Sequence, residues 1–352
     1  MNQIIRRPYL TLPNGEVIYL FSLRNEAGDE VKISNYGGII TSFVLNTSNG
    51  LNDIVLGFDR IEDYWSPTYL ENYPWFGCAI GRYANRIKNA SFELEGVTHQ
   101  LTRNNKQEQL HGGLEGFDKK LWKVVEFGES PFPFLELAYT SKDGEEGFPG
   151  NLDTVLRYEL RGKGELSYSF KSRTDQATPV NLTQHSYFNL NNGTGTIHDH
   201  ALKIYASYIL EQEDNLVANG KMIDVSGSPY DLREFKLIGD GLSNITEYDC
   251  SYVVDQPQLA DASLVATVIS KSSGLKMEVY STEPVVHFYS GRWIPRVKGK
   301  DDLVYQPFSG FCLETQKHPN AVNIAHFPNT ILNPGEVYFQ ETIYRVSEPE
   351  EK

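Results

Sequence analysis

Cysteine is scarce in this 352-residue chain, and the three that occur, Cys78, Cys250 and Cys312, are odd in number and far apart. That excludes a disulfide framework and a CxxC metal site, and it fits a reducing compartment. Positive charge is also short. Against 46 Asp and Glu stand 32 Lys and Arg, a formal charge of −14 with no basic cluster, which argues against a nucleic-acid partner. No apolar run approaches the roughly 20 residues of a membrane-spanning helix, so the chain is expected to fold in water with no membrane partner. The opening MNQIIRRPYL lacks an apolar core of signal-peptide length and a small-residue cleavage site, which makes cytoplasmic residence the default expectation. Missing too are GxGxxG after a strand, GxxxxGK[ST], HExxH and GxSxG. Dinucleotide, P-loop, zincin and α/β-hydrolase chemistry are thereby disfavoured. There is no Pro/Ser-rich linker, low-complexity tract or internal repeat, so residues 1–352 read as one domain, with the acidic tail EPEEK expected to be disordered.

What the chain does have is a period of two. Leu152, Leu156, Tyr158 and Leu160 share a face while Asp153, Arg157 and Glu159 take the other. The segments LSYSFK (Leu166, Tyr168, Phe170) and LKMEVY (Leu275, Met277, Val279) repeat the pattern, as half-buried strands do. Between such segments lie Asn14-Gly15, Asn49-Gly50, Asp143-Gly144 and Asn192-Gly193, dipeptides that favour hairpins because both residues tolerate positive φ. With about twenty strand-like segments and no convincing amphipathic helix, the expected fold is all-β, a large antiparallel sandwich or barrel.

Polar clusters stand out against this apolar pattern. Glu314 follows Phe311, Cys312 and Leu313 and shares a face with Cys312, where a charge is costly unless it is used or paired. It reads equally as a working carboxylate or as a buried Glu matched by Arg or a backbone donor. His185 and Tyr187 share a face in TQHSYF, although a lone strand histidine is more often a satisfied structural group. His111 precedes Gly112 and Gly113, which would allow close backbone approach to a ligand; the plainer reading is a turn with an incidental imidazole. In GRYANRI, Arg82 and Arg86 fall on one face and Asn85 on the other if the segment is extended, and such arginines are usually surface groups or ion-pair partners. His198 and His200 flank Asp199 at a spacing that would place both imidazoles on one strand face, so His111 or His185 would complete a metal site. The segment follows NNGTGT, however, and reads better as a strand opening from an exposed loop. Trp75, Tyr187, Tyr289 and Trp293 lie near the polar clusters, as sugar-stacking aromatics would.

Taken in order, NYGG, ANRI, LHGG, LTQHSYFNL, GSPYDLR at 227–233 and GFCLETQKHPNAVN closely resemble the aldose 1-epimerases, also called galactose mutarotases. The resemblance runs from about residue 36 to the final strand-like segment PGEVYFQETIYRV. It implies a galactose mutarotase-like supersandwich. It also implies that Glu314 is the general base, that His185 is the general acid, and that His111, Asn85 and Arg86 bind sugar hydroxyls and the ring oxygen. Asp249 in YDCSY would bind ring hydroxyls, though the chain reads DCSY where the family more often has DHxF. Where many members have Gln in a VQFYTGN-like strand, this chain has His287 in VVHFYSG. A Gln amide donates and accepts, whereas imidazole offers one of each in different directions and two donors when protonated. His287 is therefore expected to line the pocket and to alter sugar preference or the pH profile.

The reaction so implied interconverts the α and β anomers of a free aldose such as galactose or glucose, with no metal and no cofactor, because the hemiacetal itself does the chemistry. Glu314 would take the proton of the C1 hydroxyl and His185 would protonate the ring oxygen, giving a bell-shaped rate profile. Two rivals stand beside it: a glycoside hydrolase using Asp249 and Glu314, and a non-catalytic sugar-binding module on the same fold. Phosphorylated sugars are disfavoured by the absence of a basic cluster. Neither the oligomeric state nor the preferred aldose is encoded in these patterns.

Overall fold

The computed structural model describes residues 1–255 and 261–349. Its largest element is a nine-stranded antiparallel sheet, in spatial order Lys123–Gly128, Phe134–Ser141, Leu152–Leu160, Glu165–Thr174, Tyr338–Ser347, Lys276–Ser281, Ser263–Ser270, His200–Ile204 and Lys236–Leu237. The period-two segments fall here as read. Leu152, Leu156, Tyr158, Leu160, Tyr168, Phe170 and Met277 are fully buried, while Arg157 pairs on the other face with Glu136 and Glu159 at 2.8 and 2.7 Å. A five-stranded meander runs from Gln3–Thr11 to Gly50–Asp53 in chain order, and a second five-stranded sheet orders Ala218–Asp224, Tyr208–Gln212, Asp249–Val253, Val285–Tyr289 and Cys312–Gln316. The only α-helices among the described residues are the five-residue Pro67–Glu71 and Ile238–Leu242. None is long and apolar enough to cross a membrane.

One apolar cluster joins all three sheets. It contains Phe21, Val31 and Phe43 from the meander, Leu156, Tyr168 and Met277 from the large sheet, and Tyr252, Val286 and Leu313 from the third. Burying each such side chain contributes about 1.5–3 kcal/mol, so the shared core is what holds the sandwich closed. Thr315 shows how this orients its neighbour. Its hydroxyl meets Tyr168 at 3.0 Å and Thr342 at 2.6 Å on the large sheet, which leaves Glu314 and Cys312 on the opposite face of their strand.

The turn signals held at three of four places. Asn14-Gly15, Asn49-Gly50 and Asp143-Gly144 each lie between consecutive paired strands. Asn192-Gly193 does not join a hairpin; the Asn192 side chain accepts the Asp53 amide at 2.7 Å and pins a loop to the meander. The strand count exceeds twenty because two-residue pairs add to it. Ala79–Ile80 pairs with Thr183–Gln184, and Arg86–Ile87 pairs with Gln109–Leu110. These short pairs bring ANRI, LHGG and TQHSYF together. Of the acidic tail, residues 350–352 lie outside the described residues, while Glu348 is held by the Ser48 amide and by Lys163 at 2.6 Å each.

Candidate active site

Register across the third sheet builds the floor of a cavity. Asp249, Tyr289 and Cys312 form one lateral row, and Ser251, His287 and Glu314 form the next. Alternation points both rows away from the large sheet. Glu314 is 1% exposed, and its Oε2 has no hydrogen-bond partner among the described residues. A buried carboxylate oxygen left open in this way is costly unless a ligand uses it. His185 reaches the same spot from the other side: its backbone amide donates to Cys78 O at 2.8 Å and its carbonyl accepts from Gly77 at 3.0 Å. Thus anchored, its Nε2 lies 3.5 Å from Glu314 Oε1 and its Nδ1 3.5 Å from Cys312 Sγ. Tyr187 and Trp75 flank the ring, with centroids 5.1 and 6.2 Å away. Burial pulls the His185 pKa below the ordinary imidazole value, and the opposing pull of Glu314 offsets this only in part.

The wall is made by Asn85, Arg86 and His111. The Asn85 amide donates to His111 Nδ1 at 3.2 Å, and Asn85 O accepts the His111 amide at 3.0 Å. Nδ1 is therefore an acceptor, so in the neutral ring Nε2 carries the proton and can donate to a ligand. Burial, with His185, Arg86 and His287 nearby, keeps this imidazole well below its usual pKa and thus neutral. The glycines after His111 serve the backbone and not a ligand: a Cβ on Gly112, at φ +88°, would lie 1.9 Å from Gly81 O, and one on Gly113 would lie 2.0 Å from the Glu146 carboxylate. Arg86 is 9% exposed, and its guanidinium makes no hydrogen bond or ion pair among the described residues. The expectation of a surface or ion-paired arginine fails for it, and fails differently for Arg82, a buried cation bonded to backbone carbonyls.

Asp249 faces His287 across the floor. His287 Nε2 is 2.8 Å from Asp249 Oδ1, and its Nδ1 is 2.8 Å from Ser251 Oγ. Burial works against charge on both groups, yet each outweighs it for the other: the pKa of Asp249 is lowered and that of His287 is raised. Cys250, the residue that departs from DHxF, is buried on the core side and does not enter the cavity.

All eight residues singled out from the sequence, Glu314, His185, Asn85, Arg86, His111, Asp249, His287 and Tyr187, line one cavity of about 430 Å³. That size suits a small polar ligand. Trp75, Tyr289 and Trp293 line it too, as their neighbourhood suggested. Sequence reasoning missed Asn104, whose side chain clamps the His111 loop through Leu110 O at 2.8 Å, Gly113 O at 2.9 Å and the Leu110 amide at 2.7 Å. An Asn in TRNNKQ carries no signal beyond that of a turn. Also missed was Tyr73, which lines the cavity, packs 5.0 Å from Trp75, and donates to buried Asp118 at 2.7 Å.

The metal-site reading does not survive. His200 is fully buried, with Nδ1 2.9 Å from Asp199 and Nε2 accepting the Leu190 amide at 3.0 Å, while His198 is exposed. Ile197–Asp199 is a 3-10 turn and not a strand, so the two imidazoles do not share a face and do not join His111 or His185. Ligand atoms of His111, His185 and Glu314 do lie within 4.8 Å of one another. A metal on His111 Nε2 would require a proton on Nδ1, facing the Asn85 N–H, so this set does not fit a cation. GSPYDLR lies outside the cavity and buttresses it. Tyr248 and Tyr252, either side of Asp249, donate to Pro229 O and Tyr230 O at 3.0 Å each.

A family model described as aldose 1-epimerase matches residues 19–345. A galactose mutarotase of Sus scrofa is 38% identical over 350 residues, covering 97% of this chain and 98% of its own. An aldose 1-epimerase of Escherichia coli (strain K12) is 31% identical over 342 residues, covering 95% of this chain and 96% of its own. The crystal structure of an aldose epimerase homologue from C. elegans superposes with a TM-score of 0.85 at 25% identity, covering 99% of this chain and 100% of that one.

Proposed function

The chain belongs to the aldose 1-epimerase family and interconverts the α and β anomers of a free aldose, and we propose that Glu314 and His185 carry the two protons of that reaction. The observation that supports this assignment is their separation. The hydroxyl oxygen on C1 and the ring oxygen are bonded to the same carbon, so the base for one and the acid for the other must stand close together. Glu314 Oε1 and His185 Nε2 are 3.5 Å apart, with Glu314 Oε2 open. A glycosidase instead sets two carboxylates on either side of the bond it cleaves. Here Asp249 is engaged by His287, and the group nearest Glu314 is an imidazole.

In the forward half, Glu314 removes the proton from the C1 hydroxyl, that oxygen's electrons form the carbonyl, the bond from C1 to the ring oxygen breaks, and the ring oxygen takes a proton from the His185 imidazolium. Rotation about the C1–C2 bond turns the other carbonyl face to the hydroxyl. On closure His185 takes its proton back and Glu314 returns the other. Arg86, whose guanidinium has no partner among the described residues, stabilises charge developing on the ring oxygen. The Nε2–H of His111 and the amide of Asn85 donate to hydroxyls, Asp249 accepts from them, and Tyr187 supports the sugar face. This reading treats 1–352 as one domain. It also places the protein in the cytoplasm, in keeping with three buried free thiols.

Polarimetry of freshly dissolved α-D-galactose and α-D-glucose, with the spontaneous rate subtracted, tests the activity. Acceleration is expected on at least one of the two; none on either, for folded protein, would overturn the choice of sugar. The pH dependence follows from the His185 environment. An acid whose pKa is lowered holds its proton over a narrower range, so kcat/KM is expected to begin falling, as pH rises, below the usual imidazole pKa of about 6.5. A basic limb above pH 7.5 would count against His185 as the acid in the free enzyme.

A further inference from the structure

His287 is placed where a sugar ligand would be expected, yet both its ring nitrogens are committed to the protein. One meets Asp249 Oδ1 and the other Ser251 Oγ, at 2.8 Å each, with the Asn85 amide nitrogen 3.5 Å from the second. The imidazole is 3% exposed and stands between two carboxylates: Asp249, bonded to it, and Glu314, its lateral neighbour on the next strand. From the opposite wall it is faced by Arg86, His185 and His111. Asp249 Oδ2 has no hydrogen-bond partner among the described residues, so one oxygen of that carboxylate is held and the other is free for the ligand.

This arrangement has two consequences. A carboxylate held by one oxygen has a fixed direction for its other oxygen, which preorganises it for ring hydroxyls without a sugar contact by His287 itself. A positive charge between Asp249 and Glu314 also repels a proton on His185, which makes the acid more ready to release it. The carboxylate of Asp249 more than offsets burial in favouring that charge. A Gln at this position would donate to Asp249 but would carry no charge.

Building on the acid–base reading above, we propose that His287 is a positioning residue: an imidazolium held between Asp249 and Ser251 that aims the free oxygen of Asp249 at the sugar and sets the pH range over which His185 serves as the acid. The experiment compares polarimetric pH profiles of wild type, His287→Gln and Asp249→Asn, alongside NMR titration of ¹⁵N-histidine-labelled wild type. His287→Gln is expected to move the basic limb of kcat/KM upward by roughly half to one pH unit. Asp249→Asn removes the charge that favours a proton on His287 but also the direct pull of that carboxylate on His185, so it is expected to shift the limb less than His287→Gln does while raising KM about tenfold or more. In the wild type, the His287 ring is expected to titrate above pH 6.5. An unmoved limb in folded His287→Gln, or a His287 ring that is neutral throughout pH 6–8, overturns the proposal. The NMR titration needs no activity, so it stays decisive if a variant fails to fold. It also separates the two ideas: a Glu314→Gln variant as active as wild type sinks the acid–base reading, whereas an inactive one beside an unmoved limb sinks only this one.

Discussion

Glu314→Gln is expected to lower kcat for anomer interconversion by about 10²–10⁴-fold, with KM changed only a few-fold. The amide has nearly the shape of the carboxylate, so the hydroxyl it faces still finds an acceptor, and ground-state binding survives. What it cannot do is take a proton. In the proposed mechanism Glu314 acts in opening and in closing, so the loss is expected to fall on both half-reactions and to show in kcat as much as in kcat/KM. The same substitution is expected to leave thermal stability unchanged or to raise it. Glu314 is 1% exposed, and its second oxygen has no hydrogen-bond partner among the described residues, an arrangement that costs folding free energy. Polarimetry and thermal unfolding on one preparation check both halves. A Glu314→Gln protein within tenfold of wild type in kcat would remove this residue from the mechanism, and one that unfolds much more readily would make its role structural.

How much of this was legible in the sequence depends on whether the signal was local. Alternation in Leu152–Leu160 follows from the pleat of a single strand, and a charge within Phe311–Gln316 marks itself against apolar neighbours. Those features, with the ordered motifs, were enough to locate the sandwich and eight of the residues that line the cavity. The histidine spacing in His198–His200 misled because it presumed an extended backbone where the chain makes a 3-10 turn. The partners of Arg86 and His111 were hidden for another reason. They meet through strand pairs only two residues long, too short to show a period, and the pairing of Arg86 with Leu110 is a tertiary contact. Asn104 and Gly112 are of this kind too: each is explained by a backbone atom distant in sequence or supplied by a neighbouring loop. That position 287 would be an imidazole was visible as a departure, but that it would pair with Asp249 and Ser251 was not.

Arg82→Met is expected to destabilise the fold by about 3–5 kcal/mol, read as a fall in the denaturant midpoint at unchanged slope. The guanidinium is 2% exposed and satisfies several acceptors at once: Nε donates to Ser141 Oγ at 2.7 Å, Nη1 to Pro149 O at 3.0 Å, and Nη2 to the carbonyls of Ser141, Lys142 and Gly150 at 2.8, 2.9 and 2.7 Å. Burial lowers its pKa to about 10, with Glu145 and Asp143 resisting the shift, so it is cationic at neutral pH. Methionine fills much of the same space but takes the shared donor away from four carbonyls, of which Lys142 O keeps the Glu145 amide at 3.0 Å. Lysine, a point charge without the planar fork, is expected to recover only part of the loss. The damage should not stop at stability. The loop that Arg82 gathers, residues 141–150, carries Glu146, whose carboxylate takes the amides of Leu114 and Glu115 at 3.0 and 2.9 Å and the Thr102 hydroxyl, and so holds the turn that presents His111. A protein still folded at low temperature should therefore show a raised KM for the aldose with kcat less affected. If Arg82→Met unfolds at the wild-type midpoint, or loses stability while binding sugar as the wild type does, then the chain of support from Arg82 through Glu146 to His111 is broken at the corresponding link.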